Sequence, residues 1–157
     1  MIYTYFWKKI TPINLLLYPL SLLFRIVIAV RKRYLLTFAR PKVNISVPII
    51  IVGNITFGGT GKTPLVIWLV KKLVNLGFKP GIISRGYKGT LNQWPQHVLP
   101  NSDPLLVGDE PVVIAQRTEL PFYISPNRPE AAMTLLENHD CNVIVADDGL
   151  QHYALKR

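Results

Sequence analysis

The chain has 157 residues, of which 49% are hydrophobic and 17% charged, enough for one domain with a sizeable core and too apolar for a disordered tail. Its single cysteine, Cys141, excludes a disulfide framework and a multi-cysteine metal site, and it agrees with a reducing compartment. The mean hydropathy of +0.24 is unusual for a fully soluble domain, so we expect part of the chain to contact lipid or another chain.

Charge is distributed unevenly along the chain. Residues 1–102 contain 14 Lys and Arg and no Asp or Glu, whereas residues 103–157 contain four basic and all nine acidic residues. Eight of the basic residues flank or interrupt an apolar N-terminal segment: Lys8, Lys9, Arg25, Arg31, Lys32, Arg33, Arg40 and Lys42. This arrangement favours the anionic lipids of a membrane as partners. No RNA- or DNA-binding signature accompanies the charge, so we expect no nucleic-acid partner.

Residues 1–40 are predicted to form a membrane-associated helix. Residues 10–30 are mainly apolar and long enough for a spanning helix of about 20 residues. Arg25 at the centre of such a span would cost about 2.5 to 3.5 kcal/mol. A helix lying in the membrane interface, or a short hairpin-like insertion, is therefore at least as good an interpretation. A secretory signal is a third alternative, although no small-residue cleavage site follows.

Residues 41–48 form a linker with a proline at each end, and the segment after them is typical of a phosphate-binding site. The apolar run 49–52 predicts a buried strand, residues 53–61 are rich in glycine, and residues 62–76 have helical apolar spacing. Backbone N–H groups of such a loop can surround a polyphosphate at the positive end of the helix. Lys62 is then expected to contact the β- and γ-phosphates, and the Thr63 hydroxyl to bind Mg²⁺.

The loop departs from the general G-x-x-x-x-G-K-[ST] pattern, because Thr56 occupies the position of the first glycine. Gly58 and Gly59 supply the backbone freedom instead. The alternative is a glycine-rich turn with an incidental lysine. The predicted ATP-binding residues are Thr56, Phe57, Gly58, Gly59, Thr60, Gly61, Lys62 and Thr63.

The remainder of residues 49–157 alternates between strands and helices. Strands are predicted at 81–84, 121–124 and 142–146, helices at 110–116 and 128–138, and a long surface excursion at 90–102. This alternation predicts an α/β fold of the P-loop NTPase kind, a parallel sheet with helices on both faces. Ligands of such sheets bind beyond the carboxyl ends of the strands.

Arginines follow two of the predicted strands. Arg85, after the second strand, is placed to bind a phosphate, and Tyr87 to contact a sugar; the alternative is a polar turn with Arg85 in solvent. Arg128 opens a predicted helix and is either a further phosphate or substrate contact or a surface charge of that helix.

Acidic residues supply the other candidate groups. Asp109, followed by Glu110, is either the N-cap of a short helix or a general base or outer metal partner. Asp147 and Asp148 follow an apolar strand, a pattern typical of the acids that hold Mg²⁺ beside a phosphate loop, although a solvated turn is the alternative. His152 lies near this pair, but a lone histidine is more often structural.

Four motifs together resemble one family. G-N-I-T-F-G-G-T-G-K-T-P (53–64), S-R-G-Y (84–87), G-D-E-P (108–111) and D-D-G-L-Q-H (147–152), after a basic apolar N-terminus, are similar to tetraacyldisaccharide 4'-kinase, the lipid A 4'-kinase of Gram-negative bacteria. The resemblance covers most of the chain. It also accounts for Thr56, because the phosphate loop of this family has threonine or serine there.

The resemblance implies a kinase on the cytoplasmic face of the bacterial inner membrane. Its expected reaction transfers the γ-phosphate of ATP to the 4'-hydroxyl of a tetraacylated glucosamine disaccharide 1-phosphate lipid. It implies a catalytic role for Asp109, beside Lys62, Asp147 and Asp148. Candidate residues for the substrate are Arg85, Tyr87, Glu110, Arg128, Gln151 and His152.

Members of this family are about twice as long as this chain. The resemblance therefore predicts a fragment, a truncated gene product or half of a split reading frame, inactive by itself and with an uncovered sheet edge. Two other functions stay open at this point. One is a membrane-recruited regulatory ATPase or GTPase, and the other is an inactive kinase fragment that only binds membrane.

Overall fold

A computed structural model of the chain describes residues 12–37, 45–54, 61–86 and 93–149. The chain divides into two units, Met1–Arg40 and Pro41–Arg157. The described part of the first unit is one helix, and the second unit has an α/β fold.

Helix α1 of the first unit spans Pro12–Thr37 and contains Pro19. Every residue from Leu16 to Arg31 is exposed, and most of the side chains in this range are apolar. Across the described parts of the chain, no helix combines the length and apolar character needed to cross a membrane. A helix is therefore present in this segment with its apolar side chains exposed, and its association with a membrane stays a prediction.

The second unit contains a five-stranded sheet in the order β1-β5-β2-β4-β3. The strands are β1 (Ile49–Val52), β2 (Pro80–Ser84), β3 (Gln96–His97), β4 (Phe122–Ile124) and β5 (Val143–Asp147). All neighbouring pairs are parallel except β3 and β4, which are antiparallel. The predicted parallel sheet is therefore confirmed for four strands, with one antiparallel strand added at an edge.

Helices cover both faces of this sheet. They are α2 (Lys62–Asn75), α3 (Pro104–Val107), α4 (Asp109–Thr118) and α5 (Arg128–Asn138). Successive strand residues point to opposite faces, so Ile82 joins a core with residues of α2 and α4, whereas Ile83 joins a second core with α5. The predicted arrangement of helices on both faces is confirmed.

Gly81 allows α5 to approach the sheet closely. A Cβ atom at this position would lie 2.6 Å from Cδ2 of Leu135 and 2.9 Å from Sγ of Cys141. Both of those side chains belong to the core between the sheet and α5. Glycine at this position of β2 therefore lets Leu135 fill the space that a side chain would occupy.

The prediction of a surface excursion at 90–102 is wrong for residues 96–98, whereas residues 99–101 are exposed as predicted. Gln96 and His97 form β3, and Val98 is only 1% exposed and donates its N–H to the Phe122 carbonyl at 2.8 Å. A two-residue strand is too short to show an apolar alternation in sequence. The short helix α3 was not predicted either; Asp103 caps it by accepting from the Leu105 N–H at 2.9 Å.

Candidate active site at the carboxyl ends of the strands

A cleft of about 840 Å³ opens where the carboxyl ends of β2 and β5 meet the N-terminal ends of α2 and α4. Val52 of β1 lies opposite Asp147 of β5 in the sheet, and β5 is paired on its other side with β2. The lining residues are Lys62, Ser84, Arg85, Pro104, Leu105, Gly108, Asp109, Glu110, Pro111, Asp147 and Asp148. The cleft lies where ligands bind in parallel α/β sheets.

The first turn of α2 presents backbone N–H groups without a side-chain cap. Gly61 is the N-cap residue, with a left-handed φ of 71° that glycine adopts without strain, and its carbonyl accepts from the Leu65 N–H at 3.2 Å. Among the described residues, no side chain caps this end, and no acidic residue lies in the first turn. Backbone N–H groups and the helix dipole at this end therefore favour an anion.

Lys62, the first residue of α2, contacts the acidic pair that follows β5. Its Nζ lies 2.8 Å from Oδ1 of Asp148, and the two side chains are 23% and 57% exposed. The hydrogen bond with Asp148 raises the pKa of Lys62, so the ammonium stays charged. Asp148 adopts a φ of 53°, an uncommon conformation for a residue other than glycine. The structure thus brings together two of the predicted residues.

Asp147 is buried beneath this ion pair, with 3% of its surface exposed. One carboxylate oxygen accepts a long hydrogen bond of 3.4 Å from the Ser84 hydroxyl, and the other has no hydrogen-bond partner among the described residues. Burial, and next the negative charge of Glu110, raise the pKa of Asp147 to about 6. A buried carboxylate with an unpaired oxygen is costly, and a cation beside it would lower that cost.

Thr63 and Glu110 link α2 to α4. The Thr63 hydroxyl donates a hydrogen bond to Oε1 of Glu110. Glu110 also contributes to the shifted pKa values of both Lys62 and Asp147, so its carboxylate lies close to both. This contact between the second residue of α2 and the second residue of α4 could not be read from sequence, because 47 positions separate the two.

The cap interpretation of Asp109 is wrong. Helix α4 has Gly108 as its N-cap residue and no side-chain cap, and Asp109 is its first helical residue. Its exposed carboxylate lies in the first turn, where negative charge complements the dipole, and it lines the cleft. Asp109 is therefore accessible to a ligand rather than engaged with its own helix.

The two arginines have different surroundings. Arg85 follows β2, is exposed and lines the cleft, which agrees both with a phosphate contact and with a polar turn that leaves Arg85 in solvent. Arg128 is fully buried, so the interpretation as a surface charge is wrong. Its guanidinium donates to the carbonyls of Ser125 and Asp147, each at 3.1 Å, and burial lowers its pKa to about 10. Arg128 thus connects the ends of β4 and β5 rather than lining the cleft.

Several predicted residues fall outside the described parts of the chain: Thr56, Phe57, Gly58, Gly59, Thr60, Tyr87, Gln151 and His152. Sequence reasoning did not single out Ser84 as a partner of Asp147, nor Pro104, Leu105 and Pro111 as residues of the cleft. Ser84 ends β2, so its position at the carboxyl end of a central strand was a usable signal.

The oxygen donors of the cleft suit Mg²⁺ bound together with phosphate. Within the described residues, no group of three or more His, Cys, Asp or Glu is placed to hold a metal ion by itself. Mg²⁺ does not require such a group, because it usually binds one or two carboxylates and completes its shell with water and substrate phosphates. The unpaired oxygen of Asp147 and the Asp148 carboxylate are candidate donors in the cleft, and the Thr63 hydroxyl, hydrogen-bonded to Glu110 of the lining, is a third.

A parallel sheet with a lysine at the start of a helix, opposite an aspartate pair, is an arrangement typical of nucleotide-binding proteins of the P-loop class. Comparison with known proteins narrows this class. The family model described as tetraacyldisaccharide-1-P 4'-kinase (LpxK) matches residues 13–157. The chain therefore belongs to the tetraacyldisaccharide 4'-kinase family, and the alternative of a regulatory ATPase or GTPase is not favoured.

Individual relatives agree with this assignment. The chain is 48% identical to the tetraacyldisaccharide 4'-kinase of Nitrosococcus oceani, over 97% of this chain and 45% of the relative. It is 49% identical to that of Pseudoalteromonas atlantica, over 88% of this chain and 46% of the relative. The chain thus spans about half the length of the curated relatives it matches.

A solved structure supports the fold. The crystal structure described as an "apo" form of LpxK from Aquifex aeolicus in complex with ATP is similar, with a TM-score of 0.76 and 30% sequence identity. The match covers 90% of this chain and 45% of that one. The α/β fold with a mostly parallel sheet that is predicted for residues 49–157 is therefore confirmed in its described parts.

Proposed function

We propose that the intact protein phosphorylates the 4'-hydroxyl of a tetraacylated glucosamine disaccharide 1-phosphate with ATP, in the biosynthesis of lipid A. The observation that supports this most directly is the placement of Lys62, at the uncapped start of α2, against the Asp147–Asp148 pair. A relative with the same fold is described in complex with ATP. The acceptor is inferred from family membership, because relatives of this chain are named tetraacyldisaccharide 4'-kinase.

The described residues would bind the phosphates and position the acceptor. The first-turn N–H groups of α2 and the Lys62 ammonium bind the phosphate oxygens, and electrostatic stabilisation of this kind usually supplies most of the catalysis in phosphoryl transfer. Thr63, Asp147 and Asp148 would hold Mg²⁺, which would neutralise phosphate charge. Asp109, exposed in the cleft, orients or deprotonates the sugar hydroxyl.

The arginines have separate tasks in this proposal. Arg85 binds an anionic group of the substrate at the mouth of the cleft, where its side chain is exposed. Arg128 fixes the backbone carbonyl of Asp147 and acts as a positioning residue. Glu110 holds Thr63 in place through its hydrogen bond and adds negative charge beside Asp147.

Helix α1 anchors the protein to anionic lipids on the cytoplasmic face of the inner membrane. Its apolar side chains are exposed over several turns, for example Leu20 at 61% and Phe24 at 65%. Exposed Arg25, Arg31 and Arg33 accompany them. An acceptor with four acyl chains would remain in that membrane, so an anchored kinase meets it without extracting it.

The proposal is tested by transfer of labelled γ-phosphate from ATP to the disaccharide 1-phosphate lipid by the intact gene product. We expect Lys62→Ala to lower the rate on the order of 10²- to 10³-fold, since it removes a charge that stabilises the transferred phosphoryl group. Lys79→Ala is the matched control, because Lys79 lies before β2, at the end of the strand away from the cleft, and pairs with Asp140. Full activity of Lys62→Ala, or ATP hydrolysis without lipid phosphorylation, would refute the assignment.

A further inference from the structure

The outward side of α2 carries large apolar side chains in solvent. Leu65, Trp68 and Leu76 at its C-cap are 49%, 61% and 60% exposed, whereas Val66 and Val70 on the inward side are fully buried. At about 100° per residue, the three exposed positions lie within about 80° of the helix circumference. We call these three residues the α2 stripe. The mouth of the cleft does not include them.

Lysines accompany the α2 stripe without acidic neighbours on the same helix. Lys72 falls within the same arc and Lys71 beside it, and both are exposed. In the described parts of the chain, neither takes part in a salt bridge, whereas Lys62 at the other end of α2 pairs with Asp148. The outward side of α2 is therefore both apolar and uniformly positive.

We propose that the α2 stripe docks onto the surface of an anionic bilayer. Tryptophan and leucine beside lysine suit the headgroup region, where the indole ring and the lysine stems meet apolar chains while the ammonium groups contact lipid phosphates. A protein partner fits less well, because the cores of protein interfaces are depleted in lysine. The surface belongs to the second unit, so it adds a membrane contact separate from α1.

Docking of α2 has a consequence for the active site that rests on the proposed function. The helix has 14 residues and begins at Lys62, so it is about 21 Å long and carries the phosphate-binding turn at one end. Contact of its outer side with the headgroups would hold that turn within a helix length of the bilayer. A lipid acceptor and the nucleotide could then meet at the cleft.

Vesicle binding of the full chain tests the docking. Co-sedimentation is measured with phosphatidylcholine vesicles, with and without phosphatidylglycerol. We expect Leu65→Ser/Trp68→Ser and Lys71→Gln/Lys72→Gln each to weaken binding to the anionic vesicles on the order of tenfold. Met133→Ser is the matched control: Met133 is 40% exposed on α5, on the opposite face of the sheet, and should leave binding unchanged.

Tryptophan fluorescence locates the contact. Brominated lipid in the anionic vesicles should quench part of the emission, and Trp68→Phe should abolish that part while leaving the fold intact. Binding of the Leu65→Ser/Trp68→Ser variant within twofold of the unchanged protein, or no quenching assigned to Trp68, would overturn the proposal. A change of oligomeric state in that variant would also overturn it and assign the surface to a protein contact. Lys62→Ala should leave vesicle binding unaffected, which separates this proposal from that of the kinase activity.

Discussion

Replacing Asp147 with asparagine should make the stability of the α/β unit depend less on pH. Burial, and next the charge of Glu110, raise the pKa of this carboxyl from its ordinary 3.8 to about 6 in the fold. Since one pKa unit corresponds to about 1.36 kcal/mol, the ionised form costs the folded state about 2 to 3 kcal/mol. The free energy of unfolding should therefore fall as the pH rises from about 4 to about 6, with the cost complete above that range and absent below it.

The measurement is urea unfolding of wild type and Asp147→Asn, without divalent metal ions, at several pH values from 4 to 7.5. Trp94, packed against the larger core, reports on the unit. Between pH 4 and pH 7.5, the difference in unfolding free energy between the variant and wild type should change by about 2 to 3 kcal/mol in favour of the variant. The variant keeps the backbone carbonyl that Arg128 contacts. The change should be smaller in a Glu110→Gln background. A difference that stays constant within about 0.5 kcal/mol would refute the burial argument.

Two further substitutions test the packing around the site. Arg128→Met should cost about 3 to 5 kcal/mol in urea unfolding, because it leaves the buried carbonyls of Ser125 and Asp147 without their donors, at about 1 to 3 kcal/mol each. A loss of unfolding free energy below about 1 kcal/mol would show that the hydrogen bonds of the Arg128 guanidinium are dispensable. Gly81→Ala should cost about 1 to 3 kcal/mol, since its Cβ would lie 2.6 Å from Leu135. Addition of Leu135→Val should recover part of that loss, and no recovery would contradict the proposed clash.

The alternation of strands and helices in the second unit was predictable, because the local sequence of most of these elements favours the structure that they adopt. Apolar β-branched residues fill β1 and β5, and the predicted helix 128–138 coincides with the observed Arg128–Asn138. The antiparallel β3 was not predictable, because two residues carry no periodicity and its place in the sheet depends on pairing with β4. Local sequence patterns therefore sufficed to predict most strands and helices, whereas the order of the strands in the sheet depends on long-range contacts.

The site was predictable in its residue types and less so in its contacts. The sequence predicts a phosphate-binding turn at Gly61 and Lys62 and metal-binding aspartates after an apolar strand, and the structure places Lys62, Asp147 and Asp148 in one cleft. The burial of individual side chains could not be predicted from the sequence. The sequence left Arg128 as either a phosphate or substrate contact or a surface charge at the start of a helix. It is fully buried, and the carbonyls of Ser125 and Asp147 accept its hydrogen bonds.

Basic and acidic residues that lie in different parts of the sequence come close together in the fold. β1 and β2 belong to the part of the chain without any acidic residue, and they are followed by Lys62 and Arg85. β5 comes last of the five but lies between β1 and β2, so Asp147 and Asp148 end beside those cations. Residues from the acid-free part could bind phosphate alone but could not hold a metal ion. The place of β5 between β1 and β2 therefore brings together the groups that we propose to bind phosphate and Mg²⁺.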